Sequence, residues 1–146
     1  MLRKNFIKKK INLIQEELGR LAVFQDFSLD EVAGDFFKYN TLERLLEKII
    51  IRAVDINEHI IAELADEKTE APSRYRETFT EIAKFEVYPK EFGELIAKSV
   101  GTRNILVHDY DDDKTDYSKI YSSVNDCLKE YHQYCEYILK FLEKND

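Results

Sequence analysis

The chain has 146 residues, 44% of them hydrophobic and 35% charged, with two prolines, four glycines and a formal net charge of −7. That length buries roughly two-thirds of the surface the unfolded chain exposes, and the balance excludes a disordered or fibrous protein. An acidic whole also excludes a surface that coats nucleic acid indiscriminately, because such binding comes from many Lys and Arg contacts to phosphate.

Arg3, Lys4, Lys8, Lys9 and Lys10 form a basic start. A solvated helix face is the expected explanation, with steering of a polyanion as the alternative. A signal peptide is not expected, since "INLIQEEL" sets Gln15, Glu16 and Glu17 inside what would have to be an apolar core. From about Phe6 to Gln25, Ile7, Ile11, Ile14, Leu18 and Leu21 alternate by four and three, which predicts a helix with one buried stripe. Ser28 with Glu31 three residues later is a capping-box pattern that opens either a short helix or a long second one.

From Leu42 the same spacing recurs through Leu46, Ile49, Ala53, Ile56 and Ile60, with further apolar residues at Ile50, Ile51 and Ile61, and predicts the central helix. Arg52, Asp55 and His59 share a face beside that stripe and are expected to form a polar ladder at the edge of the core, or to support an active site. "DEKTEAPS" reads as a loop, and "SRYRETFTEIAKF" as the following helix. Pro89 suits the first turn of the next one, whose face carries Phe92, Leu95, Ile96, Ser99 and Val100 toward Arg103. The last helix is predicted from Tyr117, Tyr121, Val124, Leu128, Tyr131, Cys135, Ile138 and Leu142. No strand is expected. The fold class is therefore all-α, an up-and-down antiparallel bundle of four to five helices in a single domain over 1–146.

Two metal patterns fail on inspection. Asp109, Asp111 and Asp113 fit the first, third and fifth places of a calcium loop, but Lys114 replaces the turn glycine and Ile120 the closing glutamate. Cys127, His132 and Cys135 do not converge on a continuous helix, and Cys135 lies in the apolar seam. No metal site is expected, and the two cysteines read as free thiols in a reducing compartment, with the cytoplasm as the simplest location.

"RNILVHDY", residues 103–110, closes the helix that follows Pro89. Asn104 and His108 are four apart and share a face, while Arg103 is rotated by about 100° yet long enough to reach the same spot. One reading is a helix end, where a protonated histidine meets the macrodipole and Arg or Asn satisfies loose carbonyls. The other is RNA cleavage. There His108 moves a proton near neutral pH, Arg103 holds the phosphate through its planar fork, and Asn104 orients a neighbour. One imidazole does not easily serve both ends of that reaction, so a homodimer would bring in a second.

These residues carry a resemblance. Arg103, four intervening residues, His108, one residue and Tyr110 match the Arg-x4-His-x-Tyr motif of HEPN-domain proteins of the HepT-like toxin family, including its Arg-Asn start. "FSLDEVAGDFFKYNTLERLLEKIIIRAVDINEHII" is similar to that family's central helix, and "PSRYRETFTEIAKFEVYPKEFGELIAKSVGTRNILVHDY" to the segment leading into its motif. The resemblance implies a helical bundle forming a homodimer, with metal-independent endoribonuclease activity on tRNA or mRNA. It implies Arg103 and His108 as catalytic residues; beside it, the spacing leaves Asn104 in support, and no cofactor is expected. It also implies a nucleotidyltransferase antitoxin as partner, which transfers AMP from ATP to the motif tyrosine, here Tyr110. The alternative of another class is a noncatalytic module that docks the nucleotidyltransferase, with the motif as the recognised surface.

Overall fold

The computed structural model describes residues 1–69, 71–108 and 117–145, and all of their side chains except those of 101–108 and 117. Among these residues there are six α-helices and no strand: α1 (Lys4–Ala22), α2 (Leu29–Ala33), α3 (Phe36–Leu64), α4 (Tyr75–Ala83), α5 (Lys90–His108) and α6 (Tyr117–Lys144). A 3-10 turn, Val23–Asp26, follows α1 directly. Four helices are long and build the bundle; α2 and α4, of five and nine residues, raise the number above the four to five expected.

The apolar stripe of α1 is buried as its spacing predicts, with Ile7, Ile11, Ile14, Leu18 and Leu21 all at 8% exposure or less. Ser28 and Glu31 do form a capping box at the start of α2, each side chain accepting from the other's backbone N–H. The central helix begins six residues before Leu42, at Phe36. Asp35 caps it, its carboxylate accepting from the N–H groups of Phe37 at 2.9 Å and Lys38 at 3.1 Å. Along α3 the stripe from Leu42 to Ile60 is buried with Ile50 and Ile61, whereas Ile51 faces outward at 37%.

Four contacts set the direction of α1 against α3. Met1 meets Glu63, Arg3 meets His59, Lys10 meets Asp55 and Glu17 meets Arg52, so the two run antiparallel. At the other end of α1, Gln25 donates to Asn125 and the Tyr121 hydroxyl to the Phe27 carbonyl, which places the start of α6 beside the end of α1. Phe92, near the start of α5, packs on Tyr137 toward the end of α6, while Ser99 farther along α5 lines a cleft with Lys119 and Ser122 near the start of α6, so these two are antiparallel as well. The long helices thus alternate in direction, as short connections between neighbours favour.

The seam of α6 is wider than a single three-four row. Val124, Tyr131, Cys135, Ile138 and Leu142 are buried as expected, and so are Ile120, Cys127, Tyr134 and Phe141; Tyr121 and Leu128 lie at its half-buried edge. A helix touching two neighbours buries two adjoining stripes.

Candidate active site

The site is built on α5, and α5 is positioned from below by aromatic rings. Phe79 of α4 meets Tyr131 and Tyr134 of α6 at centroid separations of 6.3 and 5.8 Å, and Tyr88 meets Phe92 at 4.9 Å. Phe92 in turn packs on Tyr137 at 5.0 Å. Edge and tilted contacts of this kind fix ring orientation as well as burial. The Tyr88 hydroxyl donates to the Phe79 carbonyl at 2.6 Å, tying the connection before α5 back to α4. Burial pushes the Tyr88 and Tyr134 phenols well above the ordinary range, so both stay protonated donors.

A buried polar chain passes through the same layer. Asn57 of α3 is fully buried; its Nδ2 donates to Thr78 Oγ1 at 3.0 Å, and its Oδ1 accepts from the Tyr134 hydroxyl at 2.6 Å. Thr78 passes the bond on to the Tyr75 carbonyl at 2.7 Å. α3, α4 and α6 are thereby keyed to one another at a single register, because a displaced helix would leave a buried amide or hydroxyl unsatisfied.

Pro89 directly precedes α5 and lends its carbonyl to the N–H groups of Phe92 and Gly93, one place earlier than the first turn expected for it. At Gly93 α4 and α5 approach closely: a Cβ there would lie 3.1 Å from the Phe79 carbonyl oxygen and 3.2 Å from Tyr88 Cε1. Phe92, Ile96, Ala97 and Val100 are buried, while Leu95 is 55% exposed at the mouth of the cleft toward α6.

Three residues beyond Val100 the motif begins. α5 stays helical through His108, so Arg103, Asn104 and His108 belong to its final turns, with Asn104 and His108 one turn apart as the spacing predicts. Their side chains, and Tyr110 together with the acidic residues Asp109, Asp111 and Asp113, lie outside what the structure describes. The cleft between α5 and α6, about 470 Å³, carries Lys98, Lys119 and Lys129 against Asp126 and Glu130.

The remaining candidates are placed directly. Arg52, Asp55 and His59 do not bond to one another; each reaches across to α1. Arg52 Nη1 lies 2.9 Å from Glu17 Oε1, Asp55 accepts from Lys10 Nζ at 2.9 Å, and His59 Nε2 accepts from the Arg3 backbone N–H at 3.0 Å, its ring against Phe6. The ladder joins two helices. Lys10 of the basic start is thus used in packing, while Arg3, Lys8 and Lys9 are exposed. Cys127 and Cys135 are both buried and neither is in a disulfide, and burial pushes the Cys135 thiol up to about 12. His132 points outward beside Glu136 at 3.3 Å with its side chain 71% exposed, so the three do not face one point. Ile120, the twelfth place of the calcium pattern, is 2% exposed in the α6 core.

The description of the ribonuclease HepT-like family matches residues 14–138. The chain belongs to that family. A tRNA nuclease HepT from Aphanizomenon flos-aquae is 34% identical over 144 residues, spanning 96% of this chain and 95% of that relative. Two solved structures share the fold. The tri-AMPylated HEPN toxin of Shewanella oneidensis, solved in complex with an MNT antitoxin, has a TM-score of 0.77 at 23% identity over 92% of this chain and 97% of that one. YutE of Bacillus subtilis, a cytosolic protein of unknown function, has a TM-score of 0.77 at 16% identity over 99% and 93%. No helix among the described residues is long and apolar enough to cross a membrane.

Two features of the HepT-like chain lie outside the expectations drawn from its sequence. The lysines of the α5–α6 cleft come from two helices, and no one-dimensional spacing brings them together. Phe36 and Phe37, at the head of α3, were read only as part of the family-like segment. Their signal was available, since neither falls on the row that continues Leu42, Leu46 and Ile49 backward.

Proposed function

We propose that this chain is the toxin of a toxin–antitoxin pair, an endoribonuclease acting on tRNA or mRNA through Arg103 and His108. What carries the reading is the likeness over nearly the whole chain to a tRNA nuclease, together with an Arg-x4-His-x-Tyr motif at the end of α5. The ribose 2′-hydroxyl loses its proton and attacks the adjacent phosphorus, while the 5′-oxygen leaves and gains one. His108 moves a proton, and the Arg103 guanidinium balances charge building on the phosphate oxygens. Asn104 supports the arrangement by hydrogen bonding. A homodimer supplies the second imidazole, each protomer being one HEPN-like domain over 1–146. These groups provide acid, base and charge, so no metal ion is required of the reaction. The cytoplasm, where RNA and ATP are both at hand, is the compartment that suits such a pair.

The antitoxin is a small nucleotidyltransferase that joins the α-phosphorus of ATP to the Tyr110 oxygen and releases pyrophosphate. The AMP-bearing state of the Shewanella toxin, and its complex with an MNT antitoxin, support this. A phosphodiester on Tyr110 sets negative charge two residues from His108 and repels RNA phosphate.

Incubation of the purified protein with tRNA and mRNA in chelator should give cleavage that falls by at least about 10² in His108→Ala, the usual contribution of a positioned acid or base. Cleavage unchanged in that variant would leave only the docking-module reading. Intact mass after mixing with the nucleotidyltransferase and ATP should rise by whole AMP units in wild type and stay constant in Tyr110→Phe. An equal gain in both forms rules Tyr110 out as acceptor.

A further inference from the structure

Phe36 and Phe37 are 74% and 79% exposed, with their rings edge to face at a centroid separation of 5.7 Å. Two neighbouring aromatic side chains left in water are uncommon in a chain that buries its other long apolar rows, and such a patch marks a contact site. Phe37 lines a shallow concavity of about 570 Å³ with Arg20 of α1 and Asn40, Thr41, Arg44 and Lys48 of α3.

The charge there opposes that of the molecule. Against a net −7, the concavity has three cations and one carboxylate, Glu17, which Arg20 shares with Arg52 of α3. Arg20 and Arg44 have side chains 62% exposed. Arg44 lies 3.3 Å from Glu47, an exposed pair weak enough for a phosphate to compete with.

Position adds the last element. The start of α6 is fastened beside the end of α1 and the residues before α2, through Tyr121 to Phe27 and Gln25 to Asn125. α5 runs antiparallel to α6 and ends at this pole, and α3 begins there. The aromatic pair and the last turns of α5 therefore share one end of the bundle.

We propose that Phe36 and Phe37 are a stacking platform for unpaired RNA bases, with Arg20, Arg44 and Lys48 holding the adjoining phosphates. This rests on the ribonuclease reading and deepens it by assigning substrate-binding residues outside the motif. Exposed rings interleaved with cations are the arrangement that grips single-stranded nucleic acid. A protein-binding core around an aromatic anchor is enriched in arginine but depleted of lysine, so Lys48 is the cation here that favours RNA over protein.

The test is binding of a fluorescently labelled tRNA to the full-length protein carrying His108→Ala, which slows turnover at least about 10²-fold, with and without Phe36→Ala and Phe37→Ala. The added pair should weaken affinity by about tenfold or more, while Phe36→Tyr with Phe37→Tyr keeps it, because either ring presents a π face. Arg20→Gln with Lys48→Gln should flatten the salt dependence of binding. Circular dichroism melts should show the fold retained, since neither ring is buried. In the active protein the alanine pair should raise KM with kcat held. Unchanged tRNA affinity with wild-type cleavage intact overturns the platform alone, and if the same variant loses the nucleotidyltransferase complex, the surface is a protein-docking site. Absence of both cleavage and tRNA binding in every form overturns the platform and the ribonuclease reading together.

Discussion

The carboxylate of Glu17 sits on a face of α1 that otherwise carries Ile14, Leu18 and Leu21, and guanidiniums from two directions meet it: Arg20 at 3.1 Å from its own helix and Arg52 at 2.9 Å from α3. Burial is the largest single influence on its acidity and acts to raise it. The hydrogen bond from Arg52 and the charges of both arginines together outweigh that and hold the carboxyl below the ordinary range. A folded pKa below the unfolded one contributes stability that is fully present above the unfolded value, near pH 4.3, and is lost as pH falls through the lowered one. Arg52→Met removes the main partner and leaves a buried charge half compensated, so a loss of about 1–3 kcal/mol at neutral pH is expected. Urea melts of wild type and variant should converge as the pH is taken from about 6 to about 3. A gap that stays constant over that range would mean that Arg52 acts through its packing and not its charge.

At the scale of elements, the α4–α5 connection governs where the motif-bearing helix points. Glu86 adopts φ 63°, the left-handed region that favours glycine, just after α4 ends. Gly93, one turn into α5, lies against the Phe79 carbonyl. Substitutions at the two should have opposite signs. Glu86→Gly relieves a conformation that costs an ordinary residue about 1 kcal/mol, and should raise the melting temperature by a few degrees. Gly93→Val forces α5 away from α4 and should lower stability by about 1–3 kcal/mol. Because α5 carries Arg103 and His108, it should also reduce RNA cleavage at temperatures where the protein remains folded. Differential scanning calorimetry beside a single-turnover cleavage assay separates the two effects.

For the whole molecule, helices and motif were legible from the sequence to different depths and for physical reasons. A one-sided stripe such as Ile7 to Leu21 has a single solution, one helix against one neighbour, and Arg103, Asn104 and His108 do lie on one continuous helix. Partners across helices were not legible. Arg52, Asp55 and His59 looked like one another's neighbours because they share a face, yet all three bond to α1, whose complementary groups stand some 35 to 56 residues away in the chain. Asn57 and Tyr134 carry no one-dimensional mark of burial, since a polar residue beside an apolar row reads as its edge until a second helix covers it. The start of α3 was missed for a related reason: the apolar row begins at Leu42, whereas the helix is started by a capping carboxylate at Asp35.

The chain contains no tryptophan. An indole in place of Phe36 would therefore be the sole one in the molecule, set in water at the pole where α5 ends. Excited near 295 nm its emission would come from that point alone, red-shifted in the free protein and quenched when a base stacks upon it. The exposed ring thus doubles as an optical address, through which arrival of RNA at this pole can be timed in a stopped-flow instrument.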